Sequence, residues 1–168
     1  MSDSTMSVRF RASIEGLVDA LAAAPHVFEE EMFPAVLEAQ LLLEREIRDR
    51  TPTSGAGTLR DSIGALPVTF SGLSFEGSVA TALSYAAPVE FGSRPHHPPV
   101  EPIAEWVRRK LGKPADEAKS IAWAIARKIA RDGTPAHNMF SEGLAATQSQ
   151  ILDIITAGAD RAITRLAQ

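Results

Sequence analysis

Cysteine is absent from this chain of 168 residues, which removes disulfides and thiolate metal sites. No apolar run approaches the roughly 20 residues that a membrane-spanning helix needs. The opening MSDSTMS is polar and lacks the cationic-then-apolar order of a secretion signal, so the expected place of residence is the cytoplasm where the chain is made. Internal repeats and low-complexity tracts are missing. So are the G-x-x-x-x-G-K-[ST] and G-x-G-x-x-G loops that cradle phosphates, and the G-x-S-x-G elbow of a hydrolase. No nucleotide, cofactor or covalent catalysis is implied.

What remains is ordinary globular material. The length suits one domain. Hydrophobic residues make up 45% and charged residues 23%, enough for a core of reasonable size. The net charge of −4 argues weakly against a dedicated nucleic-acid binder, but its distribution says more. Residues 1–50 hold five Lys/Arg and ten Asp/Glu, whereas residues 94–131 hold nine and four. Such asymmetry can steer the association of unlike faces, and it also fits solvated helix surfaces.

Hydrophobic spacing outlines the elements. Ile14, Leu17, Val18 and Leu21 predict a short helix from Arg9 to Ala24, ended by Pro25. Val36, Leu37, Leu41, Leu43 and Ile47 predict a longer helix to Arg50 that begins or kinks at Pro34. Glu29, Glu30 and Glu31 would then sit before its N-terminus, where negative charge is favoured. Leu66, Val68 and Phe70 share one face of an expected strand from Ile63 to Phe70. Leu73, Phe75 and Val79 alternate with Ser74, Glu76 and Ser78, the period of a half-buried strand facing a helix. Ser71-Gly72 is the expected hairpin turn. Tyr85–Phe91 reads equally as a third strand or one helical turn. Ile103, Trp106, Val107 and Leu111 predict a short helix stopped by Gly112. Ala118, Ile121, Ala122, Ile125, Ala126 and Ile129 predict another, and Ile151, Ile155, Ala159, Ala162 and Leu166 a last one starting near Asn138 and weakened at Gly158.

The expected fold class is therefore α+β: a small antiparallel β-sheet with a central hairpin, packed against several α-helices, with long N-terminal and C-terminal helices. One domain spans 1–168, with 1–7 disordered and 51–58 and 92–99 as mobile loops. Few residues suggest chemistry. His96 and His97 lie with Glu90 and Glu101 near a Pro-rich loop, but adjacent histidines in such a loop point apart and form no metal-binding helical pair. Ser62, Asp61 and His97 can be drawn as a triad only by chance composition. Arg108, Arg109, Lys110, Lys113, Lys119, Arg127, Lys128 and Arg131 surround Trp106 and Trp123, a mixture suited to stacking bases, although both tryptophans also fit the edge of an apolar helix face.

Three short motifs stand in a fixed order. The first is TPTSGAGTLRDSI, with Thr51, Pro52, Gly57, Leu59, Arg60, Ser62 and Ile63; the second is YAAPVEFGS (Tyr85–Ser93); the third is GTPAHNMF (Gly133–Phe140). This order resembles the neck and tail-completion, or head–tail joining, proteins of long-tailed bacteriophages, of the kind called minor tail protein Z-like. The likeness covers a little over half of the chain, and the first loop is two residues longer than the common spacing. The resemblance implies no enzyme. It implies a virion protein that forms a ring with itself, usually sixfold, contacts neighbouring head-closure or connector and tail-terminator or tail-tube proteins, and touches DNA transiently in the channel, with no membrane. On that reading the protein belongs to the virion neck and is in the host cytoplasm during assembly. Candidate subunit contacts are Thr58, Leu59, Arg60, Glu90, Phe91, Gly92, Arg94, His96, His97, Arg127 and Arg131. The alternative reading is a nucleic-acid-binding or regulatory module using basic helices over 103–131.

Overall fold

The alternation that follows Gly72 builds the central strand, and everything else is placed around it. The structure, a computed structural model, describes residues 6–12, 25–53, 57–72 and 74–167. In order these form β1 (Met6–Ala12), α1 (Pro25–Arg50), α2 (Thr58–Ser62), β2 (Gly64–Ala65), β3 (Thr69–Ser71), β4 (Ser74–Thr81), α3 (Ala86–Phe91), α4 (Val100–Leu111), α5 (Ala115–Asp132) and α6 (Met139–Leu166). The fold is α+β. β1 runs antiparallel to β4 from Met6↔Thr81 to Ala12↔Phe75. β2 and β3 follow one another along the opposite edge of β4, through Ala65↔Val79 and Phe70↔Phe75.

One sheet face packs on α1, and α1 packs on α6. Phe75 is 2% exposed and its ring lies 6.1 Å from that of Phe28 on α1. Val79 joins Ala39, Leu43, Ile47, Met139, Phe140 and Ile151 in the larger core cluster. The other sheet face is polar, with Arg11 bound to Glu76 at 3.3 Å. α1 and α6 are antiparallel: Ala35 lies against Gly158 and Ile47 against Gly143. A Cβ at Gly158 would come within 2.6 Å of Ala35 Cβ, and one at Gly143 within 2.8 Å of Ile47 Cγ1. Gly158 therefore costs helix propensity but lets the two backbones approach.

Several expectations are corrected. Residues 6–12 are a strand, not the start of a helix. Met6, Val8 and Phe10 alternate with Ser7, Arg9 and Arg11, and this period of two places the three apolar side chains on the core. Met6 and Ser7 are thus ordered. The stripe Ile14–Leu21, residues 1–5 and Leu73 lie outside the described residues, as do 54–56 of the expected first loop. Pro25 opens α1, where a first-turn proline forfeits no hydrogen bond. α1 continues through Pro34, where buried Met32, Ala35 and Val36 outweigh the missing N–H. Leu37 and Leu41 face outward, because the buried face is turned toward Phe28, Met32, Val36, Leu43 and Ile47. The segment expected as one strand over 63–70 splits into β2 and β3, leaving Leu66 and Phe70 half exposed. Ser71 pairs with Ser74, so the turn falls one residue later than expected.

Glu30 and Glu31 lie within α1, not ahead of it, and meet the last turns of α6. Arg165 Nη1 donates to Glu31 at 2.7 Å, Arg161 Nε to Glu31 at 3.0 Å, and Arg165 Nη2 to Glu30 at 2.9 Å. Arg165 first, and Arg161 with it, hold the Glu31 carboxyl below the usual value of 4.5. A carboxyl depressed by folding stabilises the fold fully above its unfolded pKa and loses that contribution as pH falls through the folded one. Replacing both arginines with glutamine is therefore expected to flatten the fall in melting temperature on acidification below pH 4.5. Thermal melts across that range check this, and an acid limb as steep as that of the parent chain would refute it.

Candidate functional site

The second and third motifs meet in space. Glu90 is 2% exposed, and its carboxylate accepts from Phe140 N at 2.9 Å and from Ser141 N and Oγ at 3.0 and 2.9 Å. These amides are among the unpaired donors at the N-terminus of α6, where a negative charge also meets the positive end of the helix dipole. Asn138, in a left-handed conformation at φ 50°, makes no side-chain cap of its own. The backbone adds His137 N to Val89 O and Asn138 N to Glu90 O, each at 3.0 Å.

A second latch lies beside the first. Ser93 and Thr134 exchange two backbone hydrogen bonds at 3.1 Å, and their hydroxyls are 2.9 Å apart. Both neighbours must be glycine. Gly92 has φ 73°, and a Cβ there would lie 2.5 Å from Thr134 O; at Gly133, φ 74°, a Cβ would collide with Ser93 O. The G-S and G-T pairs thus mark two loop segments drawn against each other in an isolated antiparallel bridge.

The first motif reaches the same end of the molecule. Thr51 is buried, donates to Ile47 O at 2.7 Å and lies 3.4 Å from Met139 Sδ. Leu59 and Ile63 enter the core, and Ser62 Oγ lies 2.7 Å from Thr81 Oγ1. Arg60 binds Asp49 at 3.1 Å, and Arg50 binds Glu142 in the first turn of α6 at 3.4 Å. The three motifs therefore converge on the N-terminal end of α6, the first of them from the C-terminal end of α1 and the second from α3.

Between the two sides of the latch, α4 and α5 form a helical hairpin. Val107, Ala118, Ala122 and Ala126 are buried, yet none of them belongs to either core cluster of the body. The hairpin packs on itself and carries its cations outward.

The candidate contacts fall into two groups. Leu59, Glu90 and Gly92 are consumed by the core and the clasp. Thr58, Arg60, Phe91, Arg94, His96, His97, Arg127 and Arg131 are exposed. Phe91 is 71% exposed, an unusual setting for a large apolar ring. Arg94 and His96, with Tyr85, Pro88, Pro135 and His137, line an open cleft of about 600 Å³ next to the clasp. His96 Nδ1 lies 3.0 Å from Arg94 O, which gives the loop 92–99 a local fold. Arg131 makes two bonds to Asp132, at 2.7 and 2.8 Å, and that pair holds the Asp132 carboxyl low. Arg127 has no ion-pair partner among the described residues. Trp106 is half buried, but Trp123, expected at a packed face, is 52% exposed. Ser62 Oγ donates to Leu59 O at 2.7 Å and lies 2.7 Å from Thr81 Oγ1. Among the described residues no group of three or more His, Asp or Glu converges as metal ligands, and no helix is long and apolar enough to cross a membrane.

The arrangement is a small α+β fold in which a clasp stands beside an outward-facing basic helical hairpin. No family model, curated protein or solved structure matches the chain.

Proposed function

We propose that this chain is a structural subunit of a long-tailed phage or a tail-like particle, forming a ring with copies of itself at the junction of head and tail. One observation carries the reading. The three motifs that carry the resemblance to neck and tail-completion proteins lie far apart in sequence, yet they fasten a single end of the molecule and present the loop 92–99 and the basic hairpin beside it. The buried residues of the motifs hold the subunit together; the exposed residues in and between them are left to make contacts. Neighbours in this role are connector or head-closure proteins on one side and tail-terminator or tail-tube proteins on the other. A nucleic-acid-binding module is the second reading, favoured by the exposed Trp123 among cations.

The loop provides the test. Prolines 95, 98 and 99 restrict its backbone, which lowers the entropy cost of a contact, and Arg94, His96 and His97 are exposed. Replacing Arg94–His97 by Gly and Ser is expected to leave the melting temperature of the isolated subunit nearly unchanged, while particles show heads and tails that fail to join or that leak DNA. Normal yields of intact particles carrying the variant would contradict the assignment. Salt-dependent DNA binding by the isolated subunit, lost with hairpin cations and not with the loop, would favour the second reading.

A further inference from the structure

Two surfaces of this chain complement one another, and no residue of the first lines the second within one copy. On α5, Lys119, Trp123 and Arg127 follow at intervals of four residues, so they form one stripe, and all three are exposed. Neither Lys119 nor Arg127 has an ion-pair partner among the described residues, and Lys128 beside them has none either. On the body, α1 and α6 together carry ten carboxylates and five arginines. Most of those carboxylates are already paired, through Glu30, Glu31, Glu44, Glu46, Asp49 and Glu142. Glu38 and Asp153 have no ion-pair partner among the described residues, and they line a groove of about 640 Å³ between the two helices. Its wall includes Leu42, Ile154 and Leu41, the last 51% exposed; Arg45 also lines it.

We propose that the Lys119–Trp123–Arg127 stripe of one copy docks in the α1–α6 groove of a second copy, with the indole against Leu41 and Ile154 and the two cations toward Glu38 and Asp153. The proposal rests on the ring reading and names its faces. Charge complementarity selects the occupant: an aromatic ring between two cations meets an apolar strip between two unpaired carboxylates, and tryptophan at the centre of a polar rim is the composition of an interface anchor. The two patches differ, so the contact is head-to-tail, the kind that closes into a ring when the rotation allows.

A charge-swap experiment on the full chain decides it, read by sedimentation velocity at low and high salt. Lys119→Glu with Arg127→Glu, and separately Glu38→Lys with Asp153→Lys, are each expected to weaken self-association by about tenfold or more. An equimolar mixture of the two variants is expected to associate again, since each then offers the face the other needs. Trp123→Ala should weaken association with little change in its salt dependence, and circular dichroism establishes that every variant is folded. Should a charge reversal disturb folding, the neutral pair Lys119→Gln with Arg127→Gln takes its place. Rings that persist unchanged in both charge-reversed variants would overturn these faces while leaving the ring reading intact. A parent chain that stays monomeric at its solubility limit would overturn both. Normal self-association together with lost DNA binding in the Lys119, Arg127 variant would assign the stripe to nucleic acid and overturn the docking.

Discussion

Glu90→Ala is expected to lower the stability of the fold by about 2–5 kcal/mol, measured by urea denaturation. The carboxylate is almost wholly buried and is the acceptor for two backbone N–H groups and the Ser141 hydroxyl. Alanine leaves those amides in a site where water is largely excluded. Each unsatisfied buried donor costs about 1–3 kcal/mol, and the favourable charge at the start of α6 is removed as well. Glu90→Gln keeps one oxygen but turns an amino group toward the same donors, so its loss should fall in between. Hydrogen exchange sharpens the result: the amides of His137, Asn138, Phe140 and Ser141 should lose protection together, ahead of those in the middle of α1. A loss below about 1 kcal/mol would mean that water or another acceptor replaces the carboxylate.

Phe75→Ala should cost about 3–5 kcal/mol, the range for large aromatic truncations in a core. The ring stands between Phe28 at 6.1 Å and Phe70 at 5.8 Å, and Met32, Val36 and Ala162 complete the cluster. Phe28 lies on α1, so the cavity would open where the sheet meets the helix and could not close without moving one of them. The midpoint of urea unfolding should shift with little change in slope. A cost under roughly 1 kcal/mol would show that Phe70 collapses into the space.

Much of this architecture was legible in the sequence where one period dominated. Phe75 and Val79 alternate cleanly and are buried. Ala118, Ala122 and Ala126 keep one helix face and are buried too. The errors arose where two signals overlapped. Met6, Val8 and Phe10 alternate, but they run directly into apolar residues with helical spacing, and the longer stripe decided the reading. Pro25 and Pro34 read as breakers in the sequence, but a first-turn proline is harmless and packing on both sides of Pro34 carries the helix past it. The face of α1 was misplaced because Leu37 and Leu41 are as apolar as the residues that are buried. The clasp was unreadable from any single segment: a glutamate at position 90 caps a helix whose first turn lies 50 positions away. Its only trace is a pair of short motifs, YAAPVEFGS and GTPAHNMF, and the sequence reading places Glu90 and Gly92 of the first among subunit contacts instead of in a clasp.

The backbone hydrogen bonds between Ser93 and Thr134 have a consequence for how such a protein can change. The chain leaves the body at one of these residues and returns at the other, so everything from Arg94 to Gly133 is strung between two points that already touch. Closing a longer excursion from the same doorway costs little, about 0.6 kcal/mol for each doubling of its length. The hairpin is thereby a cassette: it can be lengthened, recharged or exchanged for another pair of helices while the helices and sheet beneath keep their register. Changes of length or charge can thus be confined to that cassette, with the segments on either side of the doorway as the frame into which each replacement is set.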